Sequence, residues 1–424
     1  MPDVLVTGAD LLGAGRADLL LREGRFADPA TAGPQVQRVD ADGLVALPGL
    51  VDLHTHLREP GREDAETHAS GTAAAARGGF TAVLAMANTN PVTDTAEAAE
   101  HVAALGRRDG HAQVVPVGAI SKGLEGVELA ELGLMARSSA AVRVFSDDGH
   151  CVTDARLMRR ALEYVRAFDG VIAQHAQDPR LAGRDACCHE GELSGRLGLP
   201  GWPAVAESTV VARDVQLAEL TRSRLHVCHV STAETVDVLR WAKARGIDVT
   251  AEVAPHHLLL TADEVAGYDP TFKVNPPLRH DEHVAALRDA LADGTIDVVA
   301  TDHAPHARHD KEHAFVDAAP GMLGLETALA VVLETMVLPG GLDWRAVAGR
   351  MSVVPAHIAR LSDQGRSLAV GEPANLTLVD PAARAVVDRT ASASLSRNNP
   401  WHGRDLPNPV VATFWAGRQT YRRA

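Results

Sequence analysis

Along this chain, short apolar runs of β type alternate with longer stretches in which apolar residues recur at helical spacing. The β-type runs fall near 49–55, 80–86, 113–118, 141–146, 171–175, 225–230, 247–253 and 296–301. Helical patterns cover 66–77, 154–168, 206–221, 233–245 and 282–292, and a further helix is expected after Gly324. Thr153 and Thr232 stand where N-caps belong, and Gly78, Gly170 and Gly246 where helices should stop. Eight strands alternating with helices predict an α/β fold, a (β/α)8 barrel of TIM type over 50–363.

The flanks read differently. Residues 3–47 carry short β-type stretches (VLVT, ADLLL, VQRVD) broken by Gly and Asp. Residues 365–424 do the same with ANLTLVD, RAVVD and VVATFWAGRQTY. Neither flank makes a domain alone, so 1–49 and 364–424 are expected to pack together as one small composite β-sandwich with the termini close.

Composition sharpens this picture. The 424 residues suit a large barrel plus an attachment, and 46% hydrophobic with only 4% aromatic residues means that Ala, Val and Leu fill the core. A formal net charge of −14 opposes extended contact with a phosphate backbone or an acidic membrane, so neither nucleic acid nor membrane is an expected partner. No secretory leader and no apolar run long enough to cross a bilayer are visible. The four cysteines, Cys151, Cys187, Cys188 and Cys228, form no C-x-x-C, which fits a reducing, cytoplasmic setting. Cys228 reads as a small buried strand residue rather than a reactive thiol.

The chemistry begins in GLVDLHTHLREPG, residues 49–61. Two residues apart on a strand, His54 and His56 share a face and are placed to hold one metal ion. Alone, such a pair is more often structural. Four later segments, VFSDDG (144–149), IAQHA (172–176), VCHVS (227–231) and VATDHAPH (299–306), also end β-type runs on Asp or His. In a barrel, function gathers at these C-terminal strand ends, which brings His54, His56, Asp148, His175, His229 and Asp302 together. Imidazoles and carboxylates suit Zn²⁺, and six ligands exceed what one catalytic zinc takes. Two zinc ions per chain sharing a carboxylate fit the count.

Over nearly its whole length the chain resembles the amidohydrolase superfamily, and within it the bacterial class I dihydroorotases. The resemblance is carried by HTHLREPG, ETHASGTAAAARGGFTAVLAMANTNPV, FSDDG, HEG, ESTVVARDVQLAE, HVCHVST, VTAEVAPHHLLLT, KVNPPLR, DGTIDVVATDHAPH and LGLET. It implies the same six metal ligands, with Asp148 as the bridge. Many superfamily relatives use a carbamylated lysine there, and this chain has Arg143 but no lysine in that region. The activity implied is hydrolysis, or the reverse cyclisation, of a ring amide, with Asp302 as the general base and acid. Arg58 would grip the carboxylate of dihydroorotate with Asn88 and His306, Asn275 would contact the ring, and His56, Pro320 and Gly321 would also line the pocket.

Three departures from the family pattern stand out: Asn90 where Arg is usual, Pro320 where Phe often precedes the Gly, and QHAQD in place of the commoner AHCED. They touch substrate contacts and leave the metal set intact. His256 and His257 are assigned to structure, and Asp52 to orienting the site from behind the ligands. A homodimer is the expected assembly, and association with aspartate carbamoyltransferase is compatible with activity. The alternatives are a hydantoinase- or allantoinase-type cyclic amidase, which the missing lysine opposes, and a non-catalytic partner of the carbamoyltransferase, which six intact ligands oppose.

Overall fold

The computed structural model describes residues 2–183 and 185–424. Its centre is built from eight parallel strands: β1 (Leu50–Thr55), β2 (Phe80–Ala85), β3 (Gln113–Pro116), β4 (Val144–Phe145), β5 (Val171–Gln174), β6 (Arg224–Val227), β7 (Val249–Val253) and β8 (Val298–Val299). Strands β1 to β3 pair in one sheet and β4 to β8 in another. Parallel bridges Gly118↔Phe145 and Thr55↔His303 join the edges of the two, so the pairing runs in a full circle.

Several strands are shorter than their apolar runs, and β4 shows why. The Arg143 guanidinium donates to the carbonyls of Ala136 (2.8 Å), Ala141 (3.2 Å) and Val142 (2.9 Å), and Ala141 turns to φ 49°. Those carbonyls are taken by a side chain, so ladder pairing starts only at Val144.

Helix boundaries follow capping chemistry. Thr67 caps His68–Arg77 through a reciprocal bond with Ser70, which leaves Glu66 outside the helix as a buried carboxylate. The helix Ala155–Val165 is capped by Asp154 and not by Thr153, because the carboxylate accepts from Leu157 N–H at 2.8 Å. It tightens into a 3-10 turn, Arg166–Phe168, and the left-handed residue is Asp169 (φ 54°), one before the expected Gly170. Thr232 caps Ala233–Ala244 as expected.

The two termini meet in a single eight-stranded sheet. Val45–Pro48 pairs antiparallel with Leu376–Val379, and its inner face buries Val4, Val6, Leu21, Phe26, Leu376, Leu378 and Phe414. Arg384–Val386 leaves this sheet and pairs with Asp405–Pro407. The sheet is tied to the central strands by Thr377 Oγ1 to the Gly79 carbonyl (2.6 Å) and Thr413 Oγ1 to the Ala76 carbonyl (2.7 Å). Gly79 has φ +91°, and a Cβ there would meet Thr377 Cγ2 at 2.8 Å, so this junction requires glycine. Among the described residues no helix is long and apolar enough to cross a membrane.

Candidate metal centre

All six residues expected as metal ligands converge at the C-terminal ends of the strands. Asp148, just past β4, lies at the middle: its Oδ1 is 3.2 Å from His54 Nε2, 3.3 Å from His175 Nδ1 and 3.4 Å from His229 Nε2. Its Oδ2 is 3.3 Å from His56 Nε2. Asp302 Oδ1 stands 3.6 Å from His54 Nε2 and 3.5 Å from His56 Nε2. His229 (φ 29°) and Asp302 (φ 46°) hold left-handed backbone conformations, a strained geometry that the surrounding structure must enforce. The side chains form two three-ligand groups, His54–His56–Asp148 and Asp148–His175–His229, which share Asp148.

Neighbouring groups orient these ligands. Glu252 on β7 accepts from His54 Nδ1 (2.7 Å), His226 Nε2 (2.9 Å) and the His229 N–H (3.2 Å). This holds a proton on His54 Nδ1 and turns Nε2 inward, where that buried atom has no hydrogen-bond partner among the described residues. Asn88 Oδ1 does the same for His56 Nδ1 at 2.9 Å, and Gln177 Oε1 for His175 Nε2 at 2.9 Å. Asp52 accepts from Thr301 N–H (2.7 Å) and Oγ1 (2.6 Å), which anchors the residue preceding Asp302. Clustered imidazole and carboxylate donors with an orphaned Nε2 fit a divalent metal. Burial opposes charge on Asp302, yet hydrogen bonding to His56 and the nearby histidines hold its carboxyl down to about 2. The same balance keeps Asp148 well below the usual carboxylate range. Glu252 was missed in the sequence; its signal was a lone carboxylate inside the apolar run VTAEV.

The residues expected at substrate lie around this cluster. Arg58 Nε donates to the Pro305 carbonyl at 3.0 Å. Among the described residues no carboxylate pairs with Arg58, since Glu59 accepts from His68 N–H (2.8 Å) and Glu63 from Gly61 N–H (2.8 Å). Burial pushes the guanidinium down to about 10. Asn275 donates to Gln177 Oε1 at 3.1 Å, and its own buried Oδ1 lacks a partner among the described residues. His257 donates to the Pro276 carbonyl at 3.1 Å and steadies that segment, in keeping with a structural role. His303 is buried beside Glu66 at 3.3 Å, whereas His309 and His313 are exposed. Asn90 is exposed, and its N–H donates to the Pro60 carbonyl at 3.0 Å.

The segment after Asp302 is pinned at three consecutive carbonyls. Lys311 Nζ donates to Ala319 O (2.8 Å) and Gly321 O (3.1 Å), while His306 Nε2 donates to Pro320 O (2.8 Å). Asn398 from the C-terminal segment adds a bond to Gly321 O at 3.1 Å. Outside His306 lies a cavity of about 770 Å³, lined also by Lys311, Arg397 and Asn398 and by none of the six ligands.

Burial and the charge of Lys273 lower Lys311 from 10.5 to about 7. Between those values the unfolded chain binds the proton that the folded one has released, so stability rises with pH across this window. Urea unfolding should show a steeper gain from pH 7 to 10 in the unmodified protein than in Lys311→Met; equal slopes would exclude this lysine as the source.

Comparison with known proteins bears on this arrangement. A family model described as "Dihydro-orotase-like" matches residues 43–235. The chain is 58% identical over 424 residues to the dihydroorotase of Streptomyces coelicolor, covering 99% of this chain and 98% of that one. It is 55% identical to the dihydroorotase of Mycobacterium tuberculosis, with 99% and 98% covered. In fold it matches the L-hydantoinase of Arthrobacter aurescens, with a TM-score of 0.86, 24% identity and 99% and 96% of the two chains covered. The dihydropyrimidinase of Brevibacillus agri superposes with a TM-score of 0.85 at 20% identity, covering 99% and 95%. Matched end to end by such relatives, the chain belongs to the dihydroorotase family.

Proposed function

We propose that this chain is a dihydroorotase, catalysing the reversible hydrolysis of dihydroorotate to N-carbamoyl-aspartate at a binuclear zinc site, with cyclisation as its contribution to pyrimidine biosynthesis. The observation that carries this reading is Asp148, whose two oxygens face four imidazoles at 3.2 to 3.4 Å. A carboxylate so placed would be shared by two metal ions without a modified lysine. We read the ring of strands as a (β/α)8 barrel over 50–363, with 1–49 and 364–424 as its composite β-sandwich.

His54, His56, Asp148, His175, His229 and Asp302 would hold two zinc ions. When bound, these ions supply the Lewis acidity that makes a water nucleophilic near neutral pH and polarises the ring carbonyl. Asp302, ionised at neutral pH, takes the proton of the attacking water and delivers it to the leaving ring nitrogen; in cyclisation the same carboxyl works in reverse. Glu252 and Asn88 hold the Nδ1 protons of His54 and His56, so their Nε2 lone pairs would be free to ligate the metals. Arg58, without a carboxylate partner among the described residues, binds the substrate carboxylate together with His306 and Asn88, while Asn275 and His56 contact the ring. Pro320 and Gly321 close the pocket from their pinned loop. The assembly we expect is a homodimer, and contact with aspartate carbamoyltransferase is compatible with it.

Ring opening measured on three substrates tests the assignment. A guanidinium set to meet a carboxylate is left unmatched by dihydrouracil or hydantoin, which should cost on the order of a hundredfold in kcat/KM. Arg58→Met should erase the preference by depressing activity on dihydroorotate. The hydantoinase-like fold makes a general cyclic amidase the second reading, and equal efficiency on all three rings would establish it instead.

A further inference from the structure

Beneath the loop that carries His306, Pro320 and Gly321 lie two adjacent thiols, Cys187 and Cys188, each 4% exposed. Both point to one acceptor: their sulfurs are 3.7 and 3.9 Å from the Pro200 carbonyl. One carbonyl thus gathers two S–H groups on the same side of the chain. The lid over them is Phe315, 3% exposed, which packs on the two cysteines together with Leu199 and Val265. Phe315 is a buried apolar side chain of the segment between the helix Arg308–Lys311 and Gly321. The adjoining Val316 carbonyl accepts from Lys273 Nζ at 2.6 Å, and the Lys273 carbonyl accepts from Gly321 N–H at 2.8 Å. The seat of Phe315 and the position of Gly321 are therefore one mechanical unit.

The sulfurs also interact. The neighbouring Cys188 lowers the Cys187 thiol, aided by the nearby Lys273 charge, while Cys188 is raised in turn by Cys187 and by burial. One thiolate stabilised by a neighbouring thiol is suited to ligation by soft cations.

We propose that Cys187 and Cys188 form a chelating site for trivalent arsenicals, and that filling it displaces Phe315 and releases the loop. With phenylarsine oxide, two As–S bonds form, the oxygen leaves as water with the two thiol protons, and arsenic stays trivalent. No oxidant is needed. The adduct occupies the volume in which the Phe315 ring sits, so loop and ligand exclude each other. That the freed loop then weakens substrate binding rests on the dihydroorotase reading; release of the loop does not.

The test uses the full-length protein and phenylarsine oxide. Intact mass and peptide mapping should show one arsenical per chain bridging Cys187 and Cys188, reversed by 2,3-dimercaptopropanol and not by 2-mercaptoethanol. Tryptic cleavage after Lys311 should accelerate by about tenfold in the adduct, independently of any activity. Cys187→Ser and Cys188→Ser, made singly, should abolish both effects while leaving uninhibited turnover unchanged. An adduct on one sulfur only, an adduct elsewhere in the chain, or a bridging adduct with unaltered cleavage after Lys311 would each overturn the proposal. If cleavage responds as expected but turnover of dihydroorotate does not, the loop site stands and the loop's part in substrate binding is what fails.

Discussion

Asp302→Asn is expected to lower turnover of dihydroorotate by about a thousandfold or more, since a positioned proton relay contributes on that order. The substitution keeps the shape of the side chain and one ligating oxygen but cannot accept a proton. Substrate should still bind, because Arg58 and Asn88 are untouched, so the loss should fall in kcat and not in KM. Metal content has to be measured on the same sample, since Asp302 stands 3.5 Å from His56 and 3.6 Å from His54 and is itself a candidate ligand. Near-normal turnover at full occupancy would remove Asp302 from the proton path.

Asp148→Ala is expected to act on both metals at once. Protein purified without chelator should carry about two zinc equivalents per chain. Removing the one residue shared by both three-ligand groups should bring the content below one equivalent and abolish measurable turnover. His175→Ala touches a single group and should spare the His54–His56 side. Loss of only one equivalent in Asp148→Ala, equal to that in His175→Ala, would show that Asp148 is not the bridge. A persistent single equivalent in the fully active parent would reject the binuclear centre altogether.

Much of this candidate site was legible in the chain because each candidate ligand closes an apolar run, and strand ends are defined locally. His54 and His56 share a face by the two-residue period of a strand, with no tertiary information required. Asp52 was placed behind the ligands on the same parity, and its bonds to Thr301 agree. Local patterning was less reliable at boundaries. The choice between Thr153 and Asp154 as cap turns on which side chain reaches Leu157 N–H, and the early end of the β4 pattern was taken by Arg143. Glu66 matched the helical pattern but lies outside the helix, bonded to Ser70, Ser394 and His303.

What the amino-acid order determined by itself is therefore the alternation of strand and helix, the six residues at strand ends, and the family. The tertiary structure decided which of those residues share a centre and what steadies them. Glu252 reaches His54 across 198 positions, Asn398 holds Gly321 across 77, and Phe315 covers thiols more than a hundred residues upstream. The physical reason is that periodicity reports only which face a side chain occupies, whereas a hydrogen bond to a distant carbonyl depends on closure of the ring and docking of the terminal sheet. Until those long-range contacts form, a carboxylate in VTAEV or a lysine in a polar loop has no partner that its neighbours in sequence can reveal.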